Sequence, residues 1–408
     1  MSQAVPRRVL PVIVLSQFAG TSLWFAVNAV MPDLQQAWGL PASAVGTLTS
    51  AVQLGFVAGT LVFSLLMLAD RFSPSRVFLA CSLAGALANA ATLLADGELA
   101  TLLALRFAVG FLLAGIYPVG MKIAASWYRE GLGAAMGILI GALVLGTALP
   151  HGLRALAGDG AGSSLFAFGT LQPWQTVVIG VSLLAAAGGI ATALFVPTHP
   201  SHAAPGARIS PKALALIWSD RRLRASVFGY FGHMWELYAM IVLVPAVMAT
   251  RLAGNAVSAA AFWAIAAGFV GCAGGGLLAR RLGSARVAFL QLAASGACCL
   301  AAPLMLVAPL PLFIAWTLLW GATVAGDSPQ FSTLTAQNAP AGAVGSVLTF
   351  SNCIGFAISV VSIEVFVRAA QAWPLAQVLP WLAVGPVLGL WMLSPLLRRA
   401  GLPSRPAG

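Results

Sequence analysis

His233 and Glu236 sit three residues apart inside GYFGHMWELYAM, a stretch otherwise apolar enough to lie in a lipid bilayer. A carboxylate near the middle of a membrane-spanning helix costs about 3 kcal/mol even on lenient insertion scales, so its retention points to a use. Two chemistries suit the pair: taking up and releasing a proton, or holding a divalent cation together with a further hard ligand. Tyr230 precedes His233 by another three residues, which places Tyr230, His233 and Glu236 on one side of a helix, turned to protein or a wet cavity rather than to lipid. Comparable apolar surroundings hold Arg106 in LLALRFAVG, Asp327 and Gln330 in WGATVAGDSPQ, Asn28 in the first apolar run and Asn352 in the eleventh. Arg106 is a fixed cation suited to an anion, and Asp327 is a second candidate proton site. Pro329 lacks an N–H and is expected to kink its helix so that Asp327 and nearby carbonyls face a cavity. Asn28 either lines a polar path or joins two helices by a hydrogen bond.

The elements that must carry these groups are membrane helices. Hydrophobic residues make up 60% of the 408 and charged residues 8%, against about 25% charged in a soluble domain. Apolar runs of helix-spanning length recur near 9–31, 43–68, 76–95, 99–121, 132–155, 174–196, 224–249, 256–279, 286–307, 310–336, 343–367 and 374–397, and twelve such runs define an all-α integral membrane protein. Seventeen of the 21 Lys and Arg fall at the two ends of the chain or in every second connection. The positive-inside rule then places both termini in the cytoplasm of a multi-pass protein of the inner or plasma membrane. The net charge of +11 is accounted for by this topology, and no nucleic-acid partner is expected. No cleavable signal peptide is expected at the N-terminus. The cysteines, Cys81, Cys272, Cys298, Cys299 and Cys353, show no metal-ligand or C-x-x-C spacing and read as small packing residues.

Between the second and third runs the chain reads LLMLADRFSPSRV, and a degenerate copy, GLLARRLGSAR, begins at Gly276, six runs later. The first copy resembles the G-x-L-A-D-R-x-G-R signature of the major facilitator superfamily through Leu68, Ala69, Asp70, Arg71 and Arg76. Leu66 and Ser73 stand where that signature has glycines. The resemblance implies two pseudo-symmetric six-helix bundles, residues 1–197 and 223–408, joined by a cytoplasmic linker at 198–222 rich in Pro and basic residues. It also implies a cytoplasmic latch in which Asp70 faces a helix N-terminus of the opposite half and Arg71 and Arg76 pair with acids. Leu102, Arg106 and Gly110 match the L-x-x-x-R-x-x-x-G pattern found in the fourth helix of many members. The fifth run, by contrast, does not reproduce the glycine motif of the drug:proton antiporters.

In that fold the first, fourth, seventh and tenth helices surround a central cavity, so the resemblance makes Asn28, Arg106, Tyr230, His233, Glu236, Asp327 and Gln330 candidate substrate-binding and coupling residues, and Asn352, near the middle of the eleventh span, is added to them as a polar residue at depth. The expected activity is secondary active transport of a small polar or anionic solute by alternating access, coupled to protons at Glu236 or Asp327, with Arg106 binding an anion. The expected partners are that solute, H+ and the lipid bilayer, with the protein a monomer and no cofactor or resident metal. Alternatives are a divalent-metal carrier using His233, Glu236 and Asp327, a drug-efflux carrier, or a receptor without turnover. An embedded enzyme is disfavoured because no nucleophile motif or phosphate loop is present.

Overall fold

The computed structural model describes residues 6–128, 132–158, 171–197, 212–340 and 342–397. Within them, twelve helices are long and apolar enough to cross a membrane: α1 (Val9–Ala29), α2 (Ala44–Leu65), α3 (Pro74–Leu94), α4 (Leu99–Trp127), α5 (Ala135–Ala157), α6 (Pro173–Phe195), α7 (Arg221–Ala249), α8 (Asn255–Leu282), α9 (Ser284–Met305), α10 (Leu310–Asn338), α11 (Val344–Ala372) and α12 (Leu375–Leu397). The described residues contain no strand. Large apolar side chains such as Leu87, Leu94, Val307 and Trp391 stay exposed on the outside, where a bilayer would cover them. An even number of spans brings Val9 and Leu397 to the same face, called here the terminal face.

Hydropathy located every span and erred mainly at the edges. The seventh starts at Arg221 rather than 224 because Asp220 caps it, its carboxylate accepting from the N–H groups of Arg222 and Leu223 at 2.8 Å each. Just before it, the helix Lys212–Ser219 packs Ile217 against Leu223 and Val227 of α7 and Val347 of α11. Of the expected linker, residues 198–211, including His199 and His202, lie outside the described residues, as do Arg129 and the chain beyond 397.

Spans α1, α4 and α10 are each interrupted for a local reason. In α1 the hydroxyls of Thr21 and Ser22 donate to the carbonyls of Gln17 (2.8 Å) and Ala19 (2.6 Å), and the helix tightens to a 3-10 turn over Ser22–Phe25. In α4 regular helix stops at Leu113 and resumes at Tyr117, with Pro118 in the first turn of the second piece. Pro329 acts likewise in α10, which divides into Leu310–Gly326 and Ser328–Asn338 with Asp327 at the joint. The interruption expected near Pro329 is therefore present, and it sets Asp327 at the joint between the two pieces.

Internal repetition shows in how the helices cross. A Cβ on Gly55 of α2 or Gly110 of α4 would come within 3 Å of the backbone carbonyls of Phe107 and Val52 respectively. The same holds six helices later, where Gly271 of α8 and Gly321 of α10 face the carbonyls of Ala322 and Ala264. Both bundles thus depend on a backbone-to-backbone crossing that only glycine permits. Gly321→Ala is expected to destabilise the protein by about 3 kcal/mol, since the obstructing atom is backbone and cannot rotate away; thermal unfolding of the purified protein would show it. The bundles meet along α2 with α11 and α5 with α8. The ring of Phe269 on α8 covers Gly141, and Phe262 covers Gly152, so these two glycines of α5 serve the contact between the two halves.

Candidate functional site

A cavity of about 40 Å³ lies between the bundles, lined from α4, α5, α7, α10 and α11. Its polar side chains are Tyr117, Tyr230, Tyr238, Ser328, Ser332 and Asn352, and its apolar ones include Leu143, Met234 and Phe356. The chamber has room for about two or three waters. On one side an aromatic wall closes it. Phe356 of α11 lies 5.3 Å from Tyr238 of α7, 4.6 Å from Phe56 of α2 and 5.5 Å from Trp24 of α1, ring centre to ring centre. These rings come from both halves, so any rocking of one bundle against the other changes the chamber's size.

Tyr230, His233 and Glu236 do not share one surface. Each three-residue step lags a full turn by about 60°, and the three side chains fan out accordingly. Tyr230 faces the chamber. His233 turns toward α10, where its Nδ1 lies 2.7 Å from Oδ1 of Asp327, both residues fully buried. That contact is short enough to share a proton, but it falls off the line of a well-formed hydrogen bond, and neither Nε2 of His233 nor Oδ2 of Asp327 has a protein partner. Glu236 turns further, into the body of its own bundle. Its carboxylate accepts from Nε1 of Trp320 at 2.7 Å, Oγ of Ser295 at 2.9 Å and Sγ of Cys299 at 3.1 Å. A carboxylate with three donors is a tie between α7, α9 and α10. In this arrangement the three residues of the metal reading are not brought together. Glu236 and Asp327 point into different environments, and no group of three or more His, Cys, Asp or Glu among the described residues is arranged to hold an ion.

Arg106 is likewise drawn away from the chamber. Its Nη2 donates to the carbonyls of Leu23 (2.9 Å) and Trp24 (2.6 Å), and its Nη1 to Oδ1 of Asn89 (3.3 Å). Asn89 passes the network on to Ser182 Oγ (3.0 Å) and the Val178 carbonyl (3.2 Å) of α6. Backbone groups in a bilayer need partners within the protein, and the 3-10 turn of α1 leaves carbonyls that the guanidinium satisfies. The expectation of a cavity-facing anion site at Arg106 is corrected on this geometry. Asn28 joins α1 to α2 through a 2.6 Å bond from its Nδ2 to Oγ1 of Thr49, the interhelical alternative. Gln330 is buried in α10, one turn from the His233–Asp327 pair, and Asn352 lines the chamber.

At the terminal face Asp70 pairs with Lys122 of α4 within its own bundle, and Lys122 also donates to the Ala69 carbonyl at 2.8 Å. In this arrangement the expected contact of Asp70 with the opposite half is not made. Arg71 and Arg76 are exposed and form no ion pair among the described residues, because the short helix Leu68–Arg71 lies beside the end of α4 and Lys122 reaches Asp70 first. On the opposite face Arg154 does more than cap α5. Its Nε and Nη2 donate to the two carboxylate oxygens of Asp33 at 2.7 and 2.9 Å, and its Nη1 to Oδ1 of Asn255, on α8 of the other bundle, at 3.1 Å. His151, one turn before Arg154 on α5, is buried. Glu364 and Arg368 form an i, i+4 pair at 3.1 Å.

Residue-type reasoning passed over Tyr117, Tyr238, Ser328 and Ser332. A signal existed for the tyrosines: the chain has only four, and three of them, Tyr117, Tyr230 and Tyr238, occur inside spans. Tyrosine in membrane proteins concentrates at the headgroup belts, so a tyrosine at depth marks a polar interior.

Two six-helix bundles, a chamber between them and ionisable groups buried at its side define a membrane transporter of the secondary-carrier type. The family model of the Major Facilitator Superfamily matches residues 13–362, and the chain belongs to that superfamily. Among solved structures it is similar to a bacterial homologue of the human lysosomal transporter Spinster in an inward-facing and occupied conformation, with a TM-score of 0.70, 16% identity and 98% of each chain covered. The inward-facing, unoccupied form of a bacterial Spinster homologue aligns with a TM-score of 0.67 and 16% identity, over 97% of this chain and 96% of that one. No curated protein matches the chain.

Proposed function

We propose that this protein moves a small polar solute across the inner or plasma membrane by alternating access, coupled to proton movement at the His233–Asp327 pair. The terminal face is cytoplasmic in this reading, as the distribution of Lys and Arg requires. Residues 1–197 and 223–408 rock against each other about the chamber, with 198–222 as the connection between them. The observation that carries the coupling role is the 2.7 Å contact between two fully buried titratable groups. They sit directly behind the chamber wall: Ser328 adjoins Asp327, and Tyr230 is one turn from His233. With one proton between them the two groups carry no net charge, whereas loss of that proton leaves the Asp327 carboxylate as an uncompensated negative charge beside a neutral imidazole, which is far more costly in hydrocarbon. Filling or emptying the proton site therefore changes how α7 and α10 pack beside the solute. Glu236, with three donors of its own, is the structural carboxylate of the two.

The test is uptake of a mixture of polar solutes into proteoliposomes under an imposed pH gradient, with the accumulated species identified by mass spectrometry. Asp327→Asn is expected to abolish gradient-driven accumulation while leaving exchange of the same solute down its own gradient. Retention of full accumulation by both Asp327→Asn and His233→Gln would end the coupling assignment.

A further inference from the structure

The chamber also carries information about what enters it, resting on the transport reading above. None of its lining residues is Asp, Glu, His, Lys or Arg. The ionisable groups nearby do not line it: Asp327 and His233 lie against each other behind its wall, Glu236 is held by its three donors, and Arg106 by the carbonyls of Leu23 and Trp24. A charged solute would find no counter-ion, and bringing an ion out of water without one costs several kcal/mol. The polar lining groups are of a different kind. The hydroxyls of Tyr117, Tyr230, Tyr238, Ser328 and Ser332 and the amide of Asn352 make no hydrogen bond to other described residues. Hydroxyl and amide groups both donate and accept, so these six suit a neutral group that does the same.

The remaining surface is aromatic and aliphatic. Tyr117 and Tyr238 face the chamber from opposite bundles, and Phe356 lies beside Tyr238, so flat apolar surfaces stand on both sides. At about 40 Å³ the chamber is smaller than a ring in this closed arrangement, so entry of a ring needs the parting of the bundles that the transport reading requires. We infer that the chamber binds an uncharged solute built from a ring-sized apolar body and one hydrogen-bonding edge, the body between the aromatic faces and the edge on Asn352 and the tyrosine hydroxyls.

Three probes of one shape test this: phenylacetamide, phenylacetate and phenethylammonium, each added at millimolar concentration to the purified full-length protein during thermal unfolding. The neutral amide is expected to raise the midpoint by about 2 °C. The two ions are expected to leave it unchanged, and Asn352→Ala to weaken the amide's apparent affinity about tenfold. A shift by either ion equal to that of the amide, or no shift with any of the three, overturns the inference. The coupling assignment is read separately. If the amide binds while Asp327→Asn keeps full gradient-driven accumulation, the proton reading fails and the solute class stands. If the amide does not bind while Asp327→Asn loses accumulation, the solute class fails and the proton reading stands.

Discussion

Replacing Arg106 by leucine is expected to lower the unfolding midpoint of the purified protein by about 8 °C, corresponding to about 4 kcal/mol. The guanidinium is fully buried and donates to two backbone carbonyls of α1 and to Asn89 of α3. Leucine supplies the bulk but none of the donors. Two carbonyls then stay unpaired in a dry interior, at about 1–3 kcal/mol each. The loss spreads, because the 3-10 turn they belong to also aims Trp24, whose indole Nε1 donates to Oε1 of Gln53 at 3.2 Å and whose ring stacks on Phe356. Arg106→Lys keeps the charge but replaces a planar fork with one ammonium, and is expected to recover about half of the loss. A leucine variant within about 1 °C of wild type would show that the network is incidental.

The second bundle holds the counterpart of this knot with the sign reversed. Glu236 on α7 binds donors from α9 and α10, while Arg106 on α4 binds acceptors from α1 and α3. Under the six-helix repeat these are the same three helices of each half. A buried charge with a full set of hydrogen bonds ties three helices where apolar packing alone would let them slide past one another.

Such roles mark the limit of what one sequence reveals. Twelve spans were legible because a membrane imposes a length and a polarity on every crossing. The repeat was legible from two related loops. That Arg106, His233, Glu236 and Asp327 matter was legible too, because the cost of an ionisable group in a span does not depend on its job. Which job each does depends on partners distant in the chain: Trp320 lies 84 residues from Glu236, and Leu23 lies 83 from Arg106. Spacing along one helix assigned Tyr230, His233 and Glu236 to a common side, yet their angular fan sends them to the chamber, to α10 and to the bundle interior respectively. The chamber's uncharged lining was the hardest part to foresee, since serine, asparagine and tyrosine in a span carry a far smaller penalty than a charge and stand out less.

On the face opposite the termini, breaking the Arg154 cluster is expected to open the chamber. Arg154 makes a bidentate pair with Asp33 of its own bundle and reaches Asn255 of the other, so it is a tie across the interface as well as a local cap. Charge-assisted bidentate bonds of this kind, with Arg154 and Asp33 side chains only 14% and 20% exposed, escape most of the screening that makes surface pairs weak. Removing the guanidinium by Arg154→Ala costs the closed arrangement about 2 kcal/mol relative to one in which the bundles part on this side, a shift in population of about 30-fold. The five native cysteines are all buried, so a single cysteine placed on the chamber wall by Ser332→Cys reports access. Its labelling by a membrane-impermeant maleimide applied from the opposite face is expected to quicken by about that factor with Arg154→Ala, and by a similar one with Asp33→Asn. Arg154→Lys keeps the charge without the fork and should fall between. Equal labelling rates in all four proteins would mean that the aromatic wall of Trp24, Phe56, Tyr238 and Phe356 seals this side by itself, with the ion pair riding on a closure it does not control.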